Sequence, residues 1–427
     1  MKSEYRKRLI AAFAAISVIS MGATALPANA ADPGVTSTEI KLGITLPMTE
    51  AARYGYNQIP AAMKAYFDYV NANGGVNGRK VTLIVKDDRY QTELAKKNTL
   101  DLITKDKVFA LVGALGTANN IAADNFVGLA RRGVPSLFLN TGFSGFANAK
   151  KYPTMYSILP SYVMEAKIMA EYIKDTYPGK RIGLVYQNDD FGTDALAGFK
   201  QAKLKFDVEV PYSSLTQAQA GVADSWITAL KGNVDVVVLF GVSSATMYAV
   251  QAAAKASFAP KWILGSVGGD VASISPALIP YVKGSTSMSF LPSTTDATDE
   301  YITLFKEINA KYNKNAGFNN WTLVGMNSAF LTVQALAAAG KTPTRKALIS
   351  ALNKQAATLS SAALVPLNFT ATSHAGYNGY WFGNISATGD LVPNDGKYVL
   401  YTTDSGAGAV VKSTYKRPAM PAKGLPN

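Results

Sequence analysis

The sequence has no cysteine and only one histidine, His374, in 427 residues. Without cysteine there is no disulfide, no thiolate metal site, no cysteine nucleophile and no lipid-modified cysteine. With one histidine there is no multi-histidine zinc site, and only one imidazole is available as a general base. That histidine lies in a turn-rich segment, residues 372–377, so a surface loop position is expected. Charge is also sparse: 17% of residues are charged, against about a quarter in ordinary globular chains. A hydrophobic fraction of 48% is ordinary for a folded protein. These values exclude a disordered chain, a coiled coil and a polytopic membrane protein. At about 150 residues per domain, the length predicts two or three domains.

The first thirty residues read as a secretion signal. A basic head (Lys2, Arg6, Lys7, Arg8) precedes an uncharged, mostly apolar run at 9–26, and Ala28 and Ala30 supply the small residues of a cleavage site. The run approaches membrane-spanning length. Its alanine, serine and glycine content and the helix-breaking Pro27 favour cleavage over retention as an anchor. Cleavage after Ala30 leaves 397 residues with a net charge of +10, against +13 for the whole chain. The last sixteen residues add Lys412, Lys416, Arg417 and Lys423 with no acid, so the body carries only +6. No run of basic residues with interleaved aromatics marks a nucleic-acid surface, and no nucleic-acid partner is expected.

Apolar runs of strand length alternate with helical patterns. Strands are predicted at 40–46, 81–85, 108–112, 135–139, 182–186, 234–240 and 262–264. Several are continuous rather than alternating, as strands covered on both faces should be. Helices are predicted at 59–73, 93–104, 118–131, 162–176, 194–205, 244–256, 299–312, 325–339 and 343–352. The last would be capped by Thr342 with Pro343 at its first position. Strand-like segments follow at 364–369 and 377–385. This order predicts parallel sheets built from βαβ units, in two batches that meet near residues 160–181.

The familiar catalytic signatures are missing. There is no GxSxG elbow, no GxxxxGK[ST] phosphate loop and no HExxH. Asp87-Asp88 and Asp189-Asp190 are paired acids at strand ends. Neighbours on a strand point to opposite faces, so capping of the following turn is the expected role. A secreted hydrolase using these carboxylates remains the competing enzyme reading. A ligand-sensing ectodomain is a third; it would need a transmembrane or signalling segment, and no such composition follows Pro393.

The informative places are turns after strands, because ligands of open parallel sheets bind beyond the carboxyl ends of the strands. The turn at 113–120 holds Gly116 and Thr117. Thr117 either caps the next helix or, with the unpaired helical N–H groups, binds a carboxylate or carbonyl. Asn140, Thr141 and Gly142 form a second polar turn, and residues 186–192 offer an aromatic wall. Residues 241–244 and 265–270 repeat the arrangement in the second half. Five turns shared between two lobes predict an interlobe cleft.

The motif NANGGVNGRK at 71–80, followed by a strand into Asp87-Asp88, resembles a signature of the leucine/isoleucine/valine-binding group of periplasmic solute-binding proteins of ABC importers. The stretches at 43–55, 186–192 and 234–241 resemble further motifs of that group, and the likeness covers essentially residues 38–400. The resemblance implies two Rossmann-like lobes with parallel sheets joined by three hinge crossings, near 156–160, 284–289 and 366–370. The implied segments are a signal peptide at 1–30, a first lobe at 31–158 and 287–367, a second lobe at 159–286 and 368–411, and a basic tail at 412–427.

The same resemblance implies a monomeric, non-enzymatic receptor without cofactor or metal. Such a receptor is periplasmic or secreted and not lipid-anchored, captures a small polar ligand and delivers it to an ABC permease. Site residues implied by the likeness and by the turns are Tyr54, Gly116, Thr117, Asn140, Thr141, Gly142, Tyr162, Phe191, Ser243, Val267 and Asp270. Val267 stands where branched-chain amino-acid binders place a glutamate for the ligand ammonium, and Val242 where they place a tyrosine. Either another acid, such as Asp270 or Glu165, takes that role, or the ligand is not an ordinary α-amino acid.

Overall fold

The computed structural model describes residues 32–50, 53–216, 219, 221–271, 275–314 and 316–426. The expected signal segment at 1–30 lies outside them. Two sheets organise the chain. In the first, five parallel strands run in the order β2-β1-β3-β4-β5. They are β1 (Glu39–Leu46), β2 (Lys80–Asp87), β3 (Ala110–Val112), β4 (Ser136–Leu139) and β5 (Met155–Ser157).

The second sheet contains β6 (Ile182–Gln187), β7 (Val208–Tyr212), β8 (Val236–Phe240), β9 (Lys261–Leu264) and β10 (Thr286–Ser289), all parallel in the order β10-β9-β8-β6-β7. Its antiparallel flank is β11 (Tyr380–Ile385), β12 (Leu391–Pro393), β13 (Leu400–Thr402) and β14 (Val411–Lys412). Each sheet with its helices is one lobe.

The parallel strands are apolar because helices cover both faces. All five residues of β8 are buried, and each such side chain contributes about 1.5–3 kcal/mol by leaving water. Helix α1 (Ile59–Ala72) follows its predicted pattern and buries Ala62, Met63, Tyr66, Phe67 and Val70. Helices α2 (Thr92–Thr104), α3 (Thr117–Val127) and α4 (Leu129–Arg132) complete the front of the first lobe. Helices α5 (Tyr162–Thr176), α6 (Asp190–Gln201), α7 (Val222–Leu230) and α8 (Ser243–Lys255) belong to the second. The helices Glu300–Tyr312 and Asn320–Ala338 return to the first lobe and pack on α1, and Arg345–Gln355 packs on Asn320–Ala338.

Several boundaries differ from expectation, each for a local reason. The helix predicted at 118–131 is two helices, because Gly128 takes a left-handed φ of 69° between them. Helix α6 starts at Asp190, not 194, because the Asp189 carboxylate caps it by accepting from Phe191 N at 3.0 Å. The cap of Arg345–Gln355 is Thr344, which accepts from Ala347 N, rather than Thr342. Strands β5, β7, β10 and β12 to β14 and helix α7 had no expected strand or helix counterpart, and the expected strand at 364–369 is reduced to a single bridge between Leu367 and Tyr377.

The chain passes between lobes after β5, after β10 and before β11. Strand β10 lies wholly in the second sheet, so the second-lobe segment extends through Ser289 rather than ending at 286. Ser373 still bridges to Asn148 of the first lobe, so the last passage falls later than residue 367. The basic tail at 412–427 packs on the body of the protein. It leaves β14 and straps back onto the first lobe. Arg417 pairs with Asp299 at 2.6 Å and lies 4.6 Å from the Tyr301 ring. Tyr66 and Tyr69 hydroxyls donate to the carbonyls of Gly424 and Lys423.

His374 is not on the surface. It is 1% exposed, stacks on Tyr156 at 3.9 Å, and places Nδ1 2.9 Å from the Met155 carbonyl. Burial lowers its basicity despite that contact. It acts as a neutral core residue tying the last passage to β5.

Candidate functional site

Both sheets share one strand order, with a reversal between β1 and β3 in the first and between β6 and β8 in the second. Such reversals open a crevice beyond the strand ends, and here the two crevices face each other. A cavity with about 300 Å³ of non-atom space lies between them. From the first lobe come Tyr90 after β2, Leu115, Gly116 and Thr117 after β3, Asn140 after β4, Leu159 after β5 and Trp321 from the helix Asn320–Ala338. The second lobe supplies Tyr162 of α5, Phe191 of α6, Val242 before α8 and Val267 after β9.

Six of the expected site residues therefore meet at one cavity: Gly116, Thr117, Asn140, Tyr162, Phe191 and Val267. Thr117 is the first residue of α3 and does not cap it; no side chain caps this helix, and the N-cap is Gly116 at φ 100°. A Cβ at Gly116 would lie 2.8 Å from the Tyr90 ring, so glycine is needed both for the backbone angle and for the close approach. The first-turn N–H groups of α3 are left for another acceptor.

The other five expected residues do not line the cavity. Thr141 lies behind Thr117, with the two hydroxyls 2.7 Å apart. Gly142 has a backbone role: its carbonyl accepts from Tyr162 N at 2.8 Å, and a Cβ there would meet the Pro160 carbonyl oxygen at 2.2 Å. Ser243 donates its N–H to the Tyr56 hydroxyl at 3.0 Å. Tyr54 is half-buried against the Arg53 guanidinium, 5.0 Å away, and Tyr56 takes the position facing the second lobe. Asp270 lines a separate cavity with Ser266, Ser287, Asn320 and Asp390.

Sequence reasoning missed Tyr90, Leu115, Leu159, Trp321 and Tyr56, and placed Val242 near the site without counting it as a contact. Tyr90 was findable as the residue two beyond Asp88 at a strand end. Trp321 carried no local signal, since it reaches the cleft from a helix that follows two changes of lobe. Its ring packs edge-on against Tyr56 at 4.6 Å.

Polar groups of the cavity are incompletely used. Trp321 Nε1 and Asn140 Oδ1 are buried with no partner in the protein, although Asn140 Nδ2 donates to the Gly113 carbonyl at 2.8 Å. A buried donor or acceptor without a partner costs about 1–3 kcal/mol, and both of these atoms belong to residues that line the cavity. The nearby acids are already occupied. Asp88 accepts from Tyr90 N at 2.9 Å and the Thr45 hydroxyl at 3.1 Å. Glu165 accepts from Ser266 N, the Ser266 hydroxyl and the Tyr380 hydroxyl at 2.7, 2.8 and 2.9 Å. Burial pushes the Asp88 carboxyl up to about 7 and raises Glu165 and Asp189 as well.

Hydrogen-bonded links cross the cleft at several points, among them Gln187 Nε2 donating to the Tyr90 hydroxyl at 3.3 Å. Tyr56, held as neutral phenol because burial pushes it to about 12, donates to the Val267 carbonyl at 3.2 Å while accepting from Ser243 N. The Asp194 carboxylate of α6 accepts from both the N–H and the hydroxyl of Ser144, at 2.7 and 2.6 Å.

Two α/β lobes closing on a cavity at the carboxyl ends of both sheets define a two-lobed ligand-binding protein. The chain belongs to the periplasmic binding protein family, whose model matches residues 39–390; its fold is that of the type I, leucine/isoleucine/valine-binding group. An amino acid binding protein of Pseudomonas aeruginosa is 25% identical over 56% of this chain and 60% of its own length. Leu/Ile/Val-binding protein homolog 7 of Brucella abortus is 23% identical over 60% and 63%. The chain thus spans about three-fifths of the length of these relatives. Among solved structures, a substrate-binding periplasmic protein from Ralstonia solanacearum has a TM-score of 0.74 at 23% identity, covering 83% of this chain and 99% of that one. A branched chain amino acid ABC transporter protein from Thermus thermophilus with bound valine has 0.72 at 17%, covering 87% and 98%.

Proposed function

We propose that the protein is an exported, monomeric solute receptor that captures a small polar ligand, a branched-chain amino acid or a related amide or carboxylate, and hands it to an ABC permease. Residues 1–30 direct export and are removed, leaving a chain without a lipid anchor. The lobes hinge about their three passages and close on the ligand, and no bond is made or broken in it. Closure is then a two-state equilibrium shifted by contacts the ligand makes with both lobes.

The observation that carries this reading is the interlobe cavity with Thr117 at an uncapped helix start and the partnerless Trp321 Nε1 and Asn140 Oδ1. The hydrolase reading has less support, because Asp88 and Asp189 are each engaged by the N–H groups of their own turns.

A thermal-shift screen against amino acids, amides, urea, polyamines and aromatic acids tests the proposal, since a ligand of the folded state raises the melting temperature by mass action. Thr117→Ala should weaken the hit by about 1–3 kcal/mol in calorimetry. An unchanged affinity would remove Thr117 from the site.

A further inference from the structure

The chemical class of the ligand can be narrowed, on the reading that the interlobe cavity is the binding site. None of the described residues lining it is acidic or basic. The undescribed positions after residue 31 are Ala51, Ala52, Gln217, Ala218, Ala220, Ala272, Ser273, Ile274, Asn315 and Asn427, and none of these carries a side-chain charge. The acids nearest the cleft are committed to other donors. All three donors on Glu165 come from Ser266 and Tyr380, and both oxygens of Asp88 are engaged by Tyr90 N and Thr45. Val242 and Val267 occupy the second-lobe wall.

Two helix starts add a positive field at the cavity, to which the partnerless acceptor Asn140 Oδ1 is the exception. Helix α3 begins at the cleft with no side-chain cap, and so does α8, directly after Val242. A helix N-terminus carries roughly half a positive charge, which attracts an anion or a carbonyl oxygen and repels an ammonium. The buried, partnerless Trp321 Nε1 adds a donor of the same polarity. A buried ammonium with no acidic partner is strongly disfavoured.

We infer that the cleft is built for a small carboxylic acid or primary amide with an apolar body and no ammonium group. The oxygen end sits at Thr117 and the start of α3, and the apolar body lies against Val242, Val267 and the aromatic rings. The partnerless Asn140 Oδ1 accepts from an amide N–H when the ligand is an amide.

Calorimetry of the purified protein with matched pairs tests this: leucine against isocaproate, valine against isovalerate and phenylalanine against hydrocinnamate, with the primary amide of each acid as a third arm. At least one acid or amide should bind tenfold or more tighter than its amino-acid counterpart. Val267→Glu should shrink that ratio, with Val242→Glu as the alternative if the first variant does not fold. Tighter binding of the amino acids would overturn the inference and leave the ligand-binding reading standing. Binding by neither set, with no small molecule retained in native mass spectrometry of protein purified from its own cells, would overturn both.

Discussion

Asp88 shows how a single buried residue couples the fold to pH. It is fully buried at the end of β2, and burial pushes its carboxyl up to about 7. Between the ordinary carboxylate range and that value, the folded state holds a proton that the unfolded chain has released. The stabilising contribution is therefore complete below about pH 4 and is lost as pH rises through 7. Denaturant unfolding at pH 5 and pH 8 should show Asp88→Asn gaining about 2–3 kcal/mol on the parent chain across that interval. A constant difference would mean that Asp88 stays ionised in the fold. His374 is the opposite case among titratable residues. Its neighbours in sequence read as a loop, yet its ring is packed against Tyr156. Turn-forming neighbours report the local backbone path and not what later covers it.

Among the elements, the C-terminal strap is the least expected. Its sequence shows only four basic residues and no acid, yet the Arg417 side chain is more than four-fifths buried against Asp299. Asp299 Oδ1 caps the helix Glu300–Tyr312 by accepting from Tyr301 N and Ile302 N, and Oδ2 accepts from Arg417. One carboxylate thus fixes both a helix start and the strap. Arg417→Ala leaves that carboxylate buried without its cation and should cost about 3–5 kcal/mol, visible as a lower melting temperature. An exposed, mobile Arg417 would give a change near zero. The longer strands of both sheets and most helices were legible because their apolar periods depend only on local geometry and burial, whereas short or edge strands such as β5, β7 and β12 to β14 were not. Helix α6 and the helix capped by Thr344 were misplaced by two to four residues, since the cap is decided by which hydroxyl or carboxylate meets a free N–H.

For the molecule as a whole, the two lobes are linked across the cleft by protein groups alone, before any ligand contributes. Tyr56→Phe removes both bonds made by the Tyr56 hydroxyl and should favour the open form by about 1–2 kcal/mol. Small-angle scattering would register a larger radius of gyration without ligand, and calorimetry a weaker affinity of up to about thirtyfold. An unchanged radius would assign closure to other contacts, of which Ser144 with Asp194 is the first candidate.

The sequence by itself determined the alternating α/β order and the turns beyond the strand ends that carry Thr117 and Asn140, and the family resemblance pointed to Phe191 and Val267; all four line the cavity. Strand periodicity and the topology of parallel sheets are local rules, and they put the ends of β3, β4 and β6 at the cleft wherever the rest of the chain goes. Only the tertiary structure decided that Tyr56 and Trp321 stand at the cleft, that Asp270 lines another cavity while Glu165 faces Ser266 and Tyr380, and that no charged residue lines the cavity among the described residues. Those outcomes depend on which side chains meet when two lobes and a returning strap pack together. A buried group's partners are set by that packing, across hundreds of residues of separation, and no spacing along the chain encodes them.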